Sequence, residues 1–442
     1  MRRTALEATL VTILLVSFLP APAANAIVTN PTFITEWGTT GTGDGQFQAP
    51  TGILVANGYT YVADSTNHRV AVFDEIGGFV TNWGSSGSAE GQFGSIAGLA
   101  TDASGNIFVT DPSNNRIQRF TSGGQFIEAW GWGVDDGTAA FQVCVSGCQT
   151  GIAGTGNAQF DRPEDIVVNP VTDEVFVLDT FNNRVQRFSA EGSFLGKWGT
   201  NGTTEGQLDY AYGIDLDASG NVGVSEWGNN RVQWFSPTGT FQEMWGWGVD
   251  DGSAAYQICT STCQAGSGGL GDGRFQRPYG LAVDADGHVW VADNFNHQVQ
   301  VFEGDGTYIT RWGTNGTAPG EFDYPYGVDV SSVGGVYVTD AGNNRVQVFG
   351  APTALTIKAP PRVAAGSIAR IKGKLKSDEP ACVAKQKVRL LGGKRTLATK
   401  KTGADGSYLF RQRIRKTVKV QVVFDSLTAC GSSVSPKRTI RV

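Results

Sequence analysis

The chain predicts an all-β fold: a six-bladed β-propeller of four-stranded blades closed by an N-terminal strand, followed by a small C-terminal β-sandwich. Three observations in the 442 residues lead there. A strand ending in an acid and running into one type of turn occurs six times. Side-chain size grades from small to bulky within each copy. The sixth copy lacks a last strand, and an unpartnered one precedes the first copy.

The repeated strands read Tyr61-Val-Ala-Asp64, Phe108-Val-Thr-Asp111, Phe176-Val-Leu-Asp179, Gly223-Val-Ser-Glu226, Trp290-Val-Ala-Asp293 and Tyr337-Val-Thr-Asp340. Each is followed by two variable residues, Asn, Asn or His, Arg (Gln in the fifth) and an alternating strand that ends in Phe. The acids are 47 residues apart from Asp64 to Asp111, Asp179 to Glu226 and Asp293 to Asp340, and 68 or 67 apart in between. The longer intervals hold two near-identical loops, at about 131–157 and 246–272, each with Trp-Gly-Val-Asp-Asp-Gly and a Cys-x3-Cys pair. The unit is therefore a double blade used three times.

The fifth copy shows how one blade is built. Gly280–Asp284 is a strand, Ala285-Asp286-Gly287 a hairpin turn, His288–Asp293 and Gln298–Phe302 the next two strands, and Tyr308–Trp312 the last. First strands carry small residues, as in Gly98-Leu-Ala100, while last strands end in Trp37, Trp83, Trp130, Trp198, Trp245 and Trp312. Wedges of that taper close into a ring. Phe33–Gly38 is predicted to complete the sixth blade, which removes the edge that an open ring would expose.

Two further regions flank the propeller, assigned to residues 27–350. Residues 1–26 read as a signal peptide, with Arg2 and Arg3, a short apolar run and Ala24-Asn25-Ala26 before the expected cleavage. Secretion or envelope association is expected, without a membrane span and as a monomer. Residues 351–442 carry 21 Lys and Arg against four acids, a net of +17, whereas residues 27–350 carry a net of −24. The six cysteines fall into three local pairs, Cys144–Cys148, Cys259–Cys263 and Cys382–Cys430, which suit an oxidising compartment. The basic tail has two readings: solubility with attraction to the acidic propeller, or contact with an anionic envelope polymer. Nucleic acid is disfavoured, because secretion is expected and no aromatic stacking motif accompanies the charge.

The blades resemble NHL repeats, whose pattern runs Pro-x-Gly-Ile, a strand, Gly-Asn, a strand and Asp-x-x-Asn-Asn-Arg-Val-Gln-Phe, over roughly residues 31–350. The resemblance implies a six-bladed propeller that binds a protein, RNA or another ligand; a few relatives are enzymes. The tail, from Thr402-Gly-Ala-Asp405 into Phe410, is similar to immunoglobulin-like or transthyretin-like modules.

Strand parity puts the Asp-x-x-Asn-Asn-Arg turns and both Trp/Cys loops on one face. Function usually sits on such loops. At the mouth of that face Tyr212, Tyr279 and Tyr326 are expected, from blades four to six, with Trp227 nearby. Thr51, Ala97 and Glu164 hold the equivalent places in blades one to three, Glu164 and Asp165 supplying acids. The tyrosines either form a ligand site or plug the channel. Trp132, Trp247, Asp135, Asp136, Asp250 and Asp251 are candidate loop residues. Their Asp-Asp-Gly runs suit either calcium or an ordinary turn. The strand-ending acids are expected to cap their own turns and to pair with the nearby Arg.

No cofactor is expected under the binding reading: an extracellular scaffold holding a protein, peptide or glycan. The alternative is a metal-dependent lyase or hydrolase. Asp293-Asn-Phe-Asn-His297-Gln298-Val299 is similar to a zinc-histidine stretch of peptidyl-hydroxyglycine lyases, and SMP-30-like hydrolases share the architecture. Zinc or calcium would then involve His68 and His297, which share one repeat position; His288 falls in a hairpin on the other face. The other reading has His standing in for a turn Asn.

Overall fold

The computed structural model describes residues 31–74, 77–332 and 334–350, and residues 353–440 apart from 356, 361, 378–381, 383–385, 393–394, 425–432 and 435–437. The expected signal peptide and Cys430 lie outside the described residues. The described residues contain no α-helix, only strands and short 3-10 turns, and no helix long and apolar enough to cross a membrane.

Six antiparallel sheets are the blades. Their inner strands are Pro50–Ala56, Leu99–Thr101, Pro163–Val168, Ala211–Leu216, Leu281–Val283 and Pro325–Val330. Each neighbours the next, and the sixth neighbours the first, so the ring is closed. Glycines permit this approach. A Cβ on Gly52 would lie 2.1 Å from the Ala97 carbonyl oxygen, and one on Gly213 would lie 2.4 Å from that of Tyr279. Instead Gly52 donates its N–H to that Ala97 oxygen at 3.0 Å, and Gly280 donates to Tyr326 at 2.9 Å.

Thr32–Trp37 pairs antiparallel with Arg345–Gly350 and supplies the outer strand of blade six. Phe33 lies opposite Phe349 and Trp37 opposite Val346, with a bulge between Phe33 and Thr35. Glu36 accepts from Arg345 Nη1 at 2.8 Å. Trp37 packs on Phe73 of blade one and Tyr337 of blade six. One strand therefore joins both ends of the propeller.

Blades two and four depart from the four-stranded expectation. Phe141–Cys144 and Tyr256–Cys259 add a fifth, outermost strand to each. The long loops fold back because alternate residues have an apolar place to go. Cys144, Cys148 and Val134 pack on Ala129, and Cys259, Cys263 and Val249 pack on Met244. Cys144–Cys148 and Cys259–Cys263 are disulfide-bonded. Trp130 and Trp245, beneath these strands, are almost fully buried.

The six strand-ending acids are buried; each accepts from the side-chain amide of the asparagine three residues on in its own turn, and not from that turn's backbone N–H groups, where the sequence pointed. Each reaches the loop that leads into its own blade. Asp64 accepts from Gln48 N at 2.7 Å, Asp179 from Asp161 N at 2.7 Å and Glu226 from Asp209 N at 3.0 Å. The expected Arg pairs are present at 2.6 to 3.0 Å in five blades. Each of these arginines also donates to carbonyls of that same incoming loop; Arg184, for example, binds those of Thr155, Gly156 and Gln159. The motif is a clamp on the loop between blades. In a buried site desolvation largely offsets charge pairing, so breaking the clamp on one side costs more than the intact pair contributes.

In the C-terminal region, one sheet holds Thr353–Leu355, Ile368–Ser377 and Ser407–Arg413. Another holds Arg395–Lys401, Lys387–Gly392, Val418–Phe424 and Ser433–Val434, with Arg438–Ile440 alongside. Ile371, Leu375 and Phe410 of the first share one core with Val388, Leu390 and Val422 of the second, which makes a sandwich. Cys382 is disulfide-bonded.

Candidate functional site

The mouth forms on the loop face. All six mouth residues, Thr51, Ala97, Glu164, Tyr212, Tyr279 and Tyr326, line one cavity of about 250 Å3 together with Ser65, Ser95, Pro112 and Arg162. Tyr212 and Tyr279 stack at 4.5 Å between centroids, and Tyr279 lies 4.3 Å from Tyr326. Across the cavity Glu164 is buried and accepts from Arg162 at 3.1 Å. Neighbouring blades hold these residues by their carbonyls: Thr110 Oγ1 donates to Glu164 O at 3.1 Å, Ser225 Oγ to Tyr279 O, and Thr339 Oγ1 to Thr51 O at 2.6 Å. These three hydroxyls belong to blades two, four and six, while blades one, three and five carry Ala63, Leu178 and Ala292 there. The double-blade unit thus reappears in the inner ring.

Burial governs the electrostatics of the mouth. It raises the Glu164 carboxyl, against the opposing pull of Arg162. Burial, and then the charge of Glu164, raises all three phenols, Tyr279 to about 12. The phenols therefore stay protonated at neutral pH. Together the site presents hydroxyl donors and acceptors on one side and a neutralised carboxylate–guanidinium pair on the other. That arrangement suits a small polar group with some apolar surface.

Asp165 is not at the mouth. It stands where the other five blades have the ring-closing glycine, and so faces the channel below, lining a cavity of about 170 Å3 with Asp215 and Asp329. Each of the three carboxylates accepts one N–H from its own strand and one from a neighbouring blade's inner strand: Ile214 at 3.0 Å, Val283 at 2.7 Å and Val55 at 2.6 Å respectively. They replace backbone bonds between blades. Burial pushes them up, to about 8 for Asp165, 7 for Asp329 and 6 for Asp215. The sign follows from linkage. A carboxyl raised in the folded state ionises first in the unfolded chain, so its contribution is complete below the unfolded value and is lost as pH rises through the folded one. Asp165→Asn is expected to flatten the fall in melting temperature between pH 4 and 8; thermal melts at each pH check this, and parallel curves for variant and parent would refute it.

Of an outer arc of side chains the sequence singled out only Trp227, which belongs to the arc and not to the mouth, and His297 at its end. Arg162 lies over Phe181 at 4.9 Å, Phe181 meets Tyr210 at 5.7 Å, and Tyr210 meets Trp227 at 6.1 Å. Arg277 is sandwiched between Trp227 at 4.3 Å and Phe295 at 4.5 Å. Phe295 meets Tyr324 at 5.3 Å, and Tyr324 meets His297 at 4.8 Å. Phe181, Tyr210, Phe295 and Tyr324 are 37 to 42% exposed, so the arc is surface. Its signal in the sequence was positional. Phe181 and Phe295 follow their acids by two residues; Arg162, Tyr210, Arg277 and Tyr324 precede their mouth residues by two.

The backbone of those four is left-handed, with φ between 45° and 54°. Non-glycine residues seldom adopt this conformation, and it costs about 1–3 kcal/mol each. A side chain of the preceding blade's turn offsets it by accepting the N–H: Asn115 from Arg162, Asn183 from Tyr210, Asn230 from Arg277 and His297 Nδ1 from Tyr324 at 3.2 Å. His297 and His68 are themselves left-handed, at φ 53°, like the turn asparagines. In geometry His297 stands in for a turn Asn. His68 and His297 lie in blades one and five, with blade six between them. His288 is on the other side, bonded to Asp284 at 2.9 Å. Among the described residues no three His, Cys, Asp or Glu groups are placed to hold one metal ion.

In the Asp-Asp-Gly loops the carboxylates of Asp136 and Asp251 cap their own turns. Asp136 accepts from Thr138 N at 2.9 Å and from Gln142 Nε2, and Asp251 accepts from Ser253 N at 2.8 Å. These bonds hold both carboxyls at about 2. Asp135 and Asp250 donate their N–H groups to Gln142 and Gln257. Trp132 donates to Asn157 O at 3.0 Å, and Trp247 carries Arg274 at 5.4 Å.

Comparison with known proteins bears on the repeats. The NHL repeat model matches residues 275–302 and 322–349. Protein lin-41 of Caenorhabditis elegans is 48% identical over 46 residues, 10% of this chain and 4% of that protein. Protein brain tumor of Drosophila melanogaster is 37% identical over 51 residues, 12% of this chain and 5% of that protein. The chain thus matches only a small part of the length of these curated relatives. Among solved structures, virginiamycin B lyase from Staphylococcus aureus aligns with 71% of this chain and 98% of its own, at 11% identity and TM-score 0.45. An auxiliary nutrient binding protein from Bacteroides thetaiotaomicron aligns with 72% and 75%, at 14% and 0.47. From its six sheets and the two matched segments, this chain is an all-β propeller that carries NHL repeats.

Proposed function

We propose that the protein is an extracellular binding protein whose loop face holds the end of a peptide or glycan in the tyrosine-lined mouth. One observation carries the reading: three mutually packed tyrosines and the Glu164–Arg162 pair line one cavity of about 250 Å3 at the axis of the ring. The arc of exposed aromatic and arginine side chains outside it gives the rest of the ligand a surface to lie along. Aromatic and Arg anchors of this kind dominate binding energy at interfaces. Secretion is supported by the signal-like residues 1–26 and by the two loop disulfides. The C-terminal sandwich, which resembles immunoglobulin-like modules, would act as a spacer that contacts an anionic envelope polymer.

A glycan and peptide array probed with the full chain tests this. A hit should lose about tenfold or more in affinity with Tyr279→Ala while the melting temperature changes little. Hits indifferent to both Tyr279→Ala and Glu164→Gln would overturn it.

A further inference from the structure

The strand Ile368–Ser377 alternates perfectly. Ala369, Ile371 and Leu375 are buried in the sandwich core, while Arg370, Lys372, Lys374 and Lys376 are exposed. Residues two apart on one strand face repeat every ~6.6 Å, so four cations stand in an evenly spaced row. Arg370 and Lys372 meet no acid directly across on the neighbouring strand. Arg370 lies opposite Arg411, Lys372 opposite Leu409 and Lys374 opposite Ser407. Like charges directly across a sheet destabilise it, so this face carries a cost that its own fold does not remove. Among the described residues Lys374 with Asp405, at 2.9 Å, is the one ion pair of this face. All four cations line an open groove of about 1500 Å3. Lys358, Lys400 and Lys401 line its flanks.

We propose that the outward face of this sheet docks a linear polyol-phosphate polymer, its phosphates matched to the row Arg370, Lys372, Lys374 and Lys376. The inference rests on the envelope-contact reading of the sandwich and names its chemistry and residues. Lys and Arg form charge-assisted bonds to phosphate oxygens, and an extended polymer presents its charges at regular intervals, as the strand does. A folded acidic protein would not. The propeller's own clamp acids and channel acids are turned inward, which leaves them no part in such a contact. Sequence-tolerant binding of single-stranded nucleic acid adds aromatic side chains for base stacking. The aromatic side chains of this sheet, Tyr408 and Phe410, are instead buried in the core.

The test measures binding of purified poly(glycerol phosphate) to the full chain. Arg370→Gln with Lys372→Gln should weaken it about tenfold. Arg395→Gln with Lys419→Gln removes the same charge from the other sheet and should weaken it about threefold or less. Arg370→Lys with Lys372→Arg, which keeps the row, should bind like the parent. All are exposed positions, and removing the Arg370–Arg411 repulsion should leave the melting temperature unchanged or higher. Equal losses in the two charge-removing pairs would overturn the proposal. So would equal or tighter binding of polyglutamate or of a single-stranded oligonucleotide of matched charge. Tyr279→Ala should leave polymer binding intact, so failure of the mouth and failure of this face are told apart.

Discussion

Removing residues 31–38 is expected to cost about 5 kcal/mol or more, from the buried rings and ladder bonds that strand contributes. At about 2 °C per kcal/mol for a ring of this size, the melting temperature falls by roughly 10 °C. Two losses add together. Phe33 and Trp37 leave the clusters built on Phe349 and on Phe73, and the ring loses the strand that joins blades one and six. Arg345–Gly350 then becomes an edge of unpaired N–H and C=O groups, a template for pairing with another chain. The truncated protein should therefore also associate in a concentration-dependent way. Thermal melts with sedimentation check both outcomes. A truncated chain that stays monomeric with the parent's melting temperature would show that closure lies elsewhere.

Arg231→Met carries the next largest effect, an expected destabilisation of about 3–5 kcal/mol. Arg231 and Glu226 are both fully buried and 2.6 Å apart. The guanidinium also donates to the carbonyls of Thr204 at 3.1 Å, Gln207 at 2.8 Å and Gln264 at 3.0 Å. Methionine fills the space but leaves the buried Glu226 carboxylate without its cation, held only by Asp209 N, Asn229 and Gln233, and orphans the carbonyl acceptors. Blade five shows how the chain tolerates the loss of an arginine. There Gln298 takes the place, and burial without a cation pushes Asp293 up to about 6. Arg231→Gln should thus be milder than Arg231→Met, because the amide can still donate to Glu226 as Gln298 does to Asp293. Denaturant titrations of both variants check the order. Arg231→Gln as destabilising as Arg231→Met would contradict the account.

The ring was legible in the sequence because repetition reports topology directly: six acid-ended strands, one taper and one missing strand leave few ways to close. The mouth was legible for the same reason, since a fixed position before each first-strand glycine puts one residue per blade on the axis. Where the repeat itself deviates, the reading failed. Asp165 occupies a glycine position, so its side chain went down the channel while Glu164 stayed at the mouth. The clamp acids were assigned to their own turns' backbone because the N–H groups they accept from lie 16 to 18 residues earlier, across a loop. The outer arc needs side chains from four blades that meet only through the left-handed backbone of residues such as Tyr210 and Arg277. Spacing within one repeat carries no trace of contacts between repeats. The fifth strands of blades two and four were hidden because loop length alone does not say that Phe141-Gln-Val-Cys144 alternates against Trp132 and Ala129.

Native-state hydrogen exchange across residues 33–37 tests the central claim most directly. Paired into blade six, their bonded amides should exchange as slowly as those of Phe79–Trp83, the outer strand of blade one, and only through global opening. Exchange on the timescale of an unpaired segment, with Arg345–Gly350 exchanging equally fast, would mean that the first strand does not close the ring.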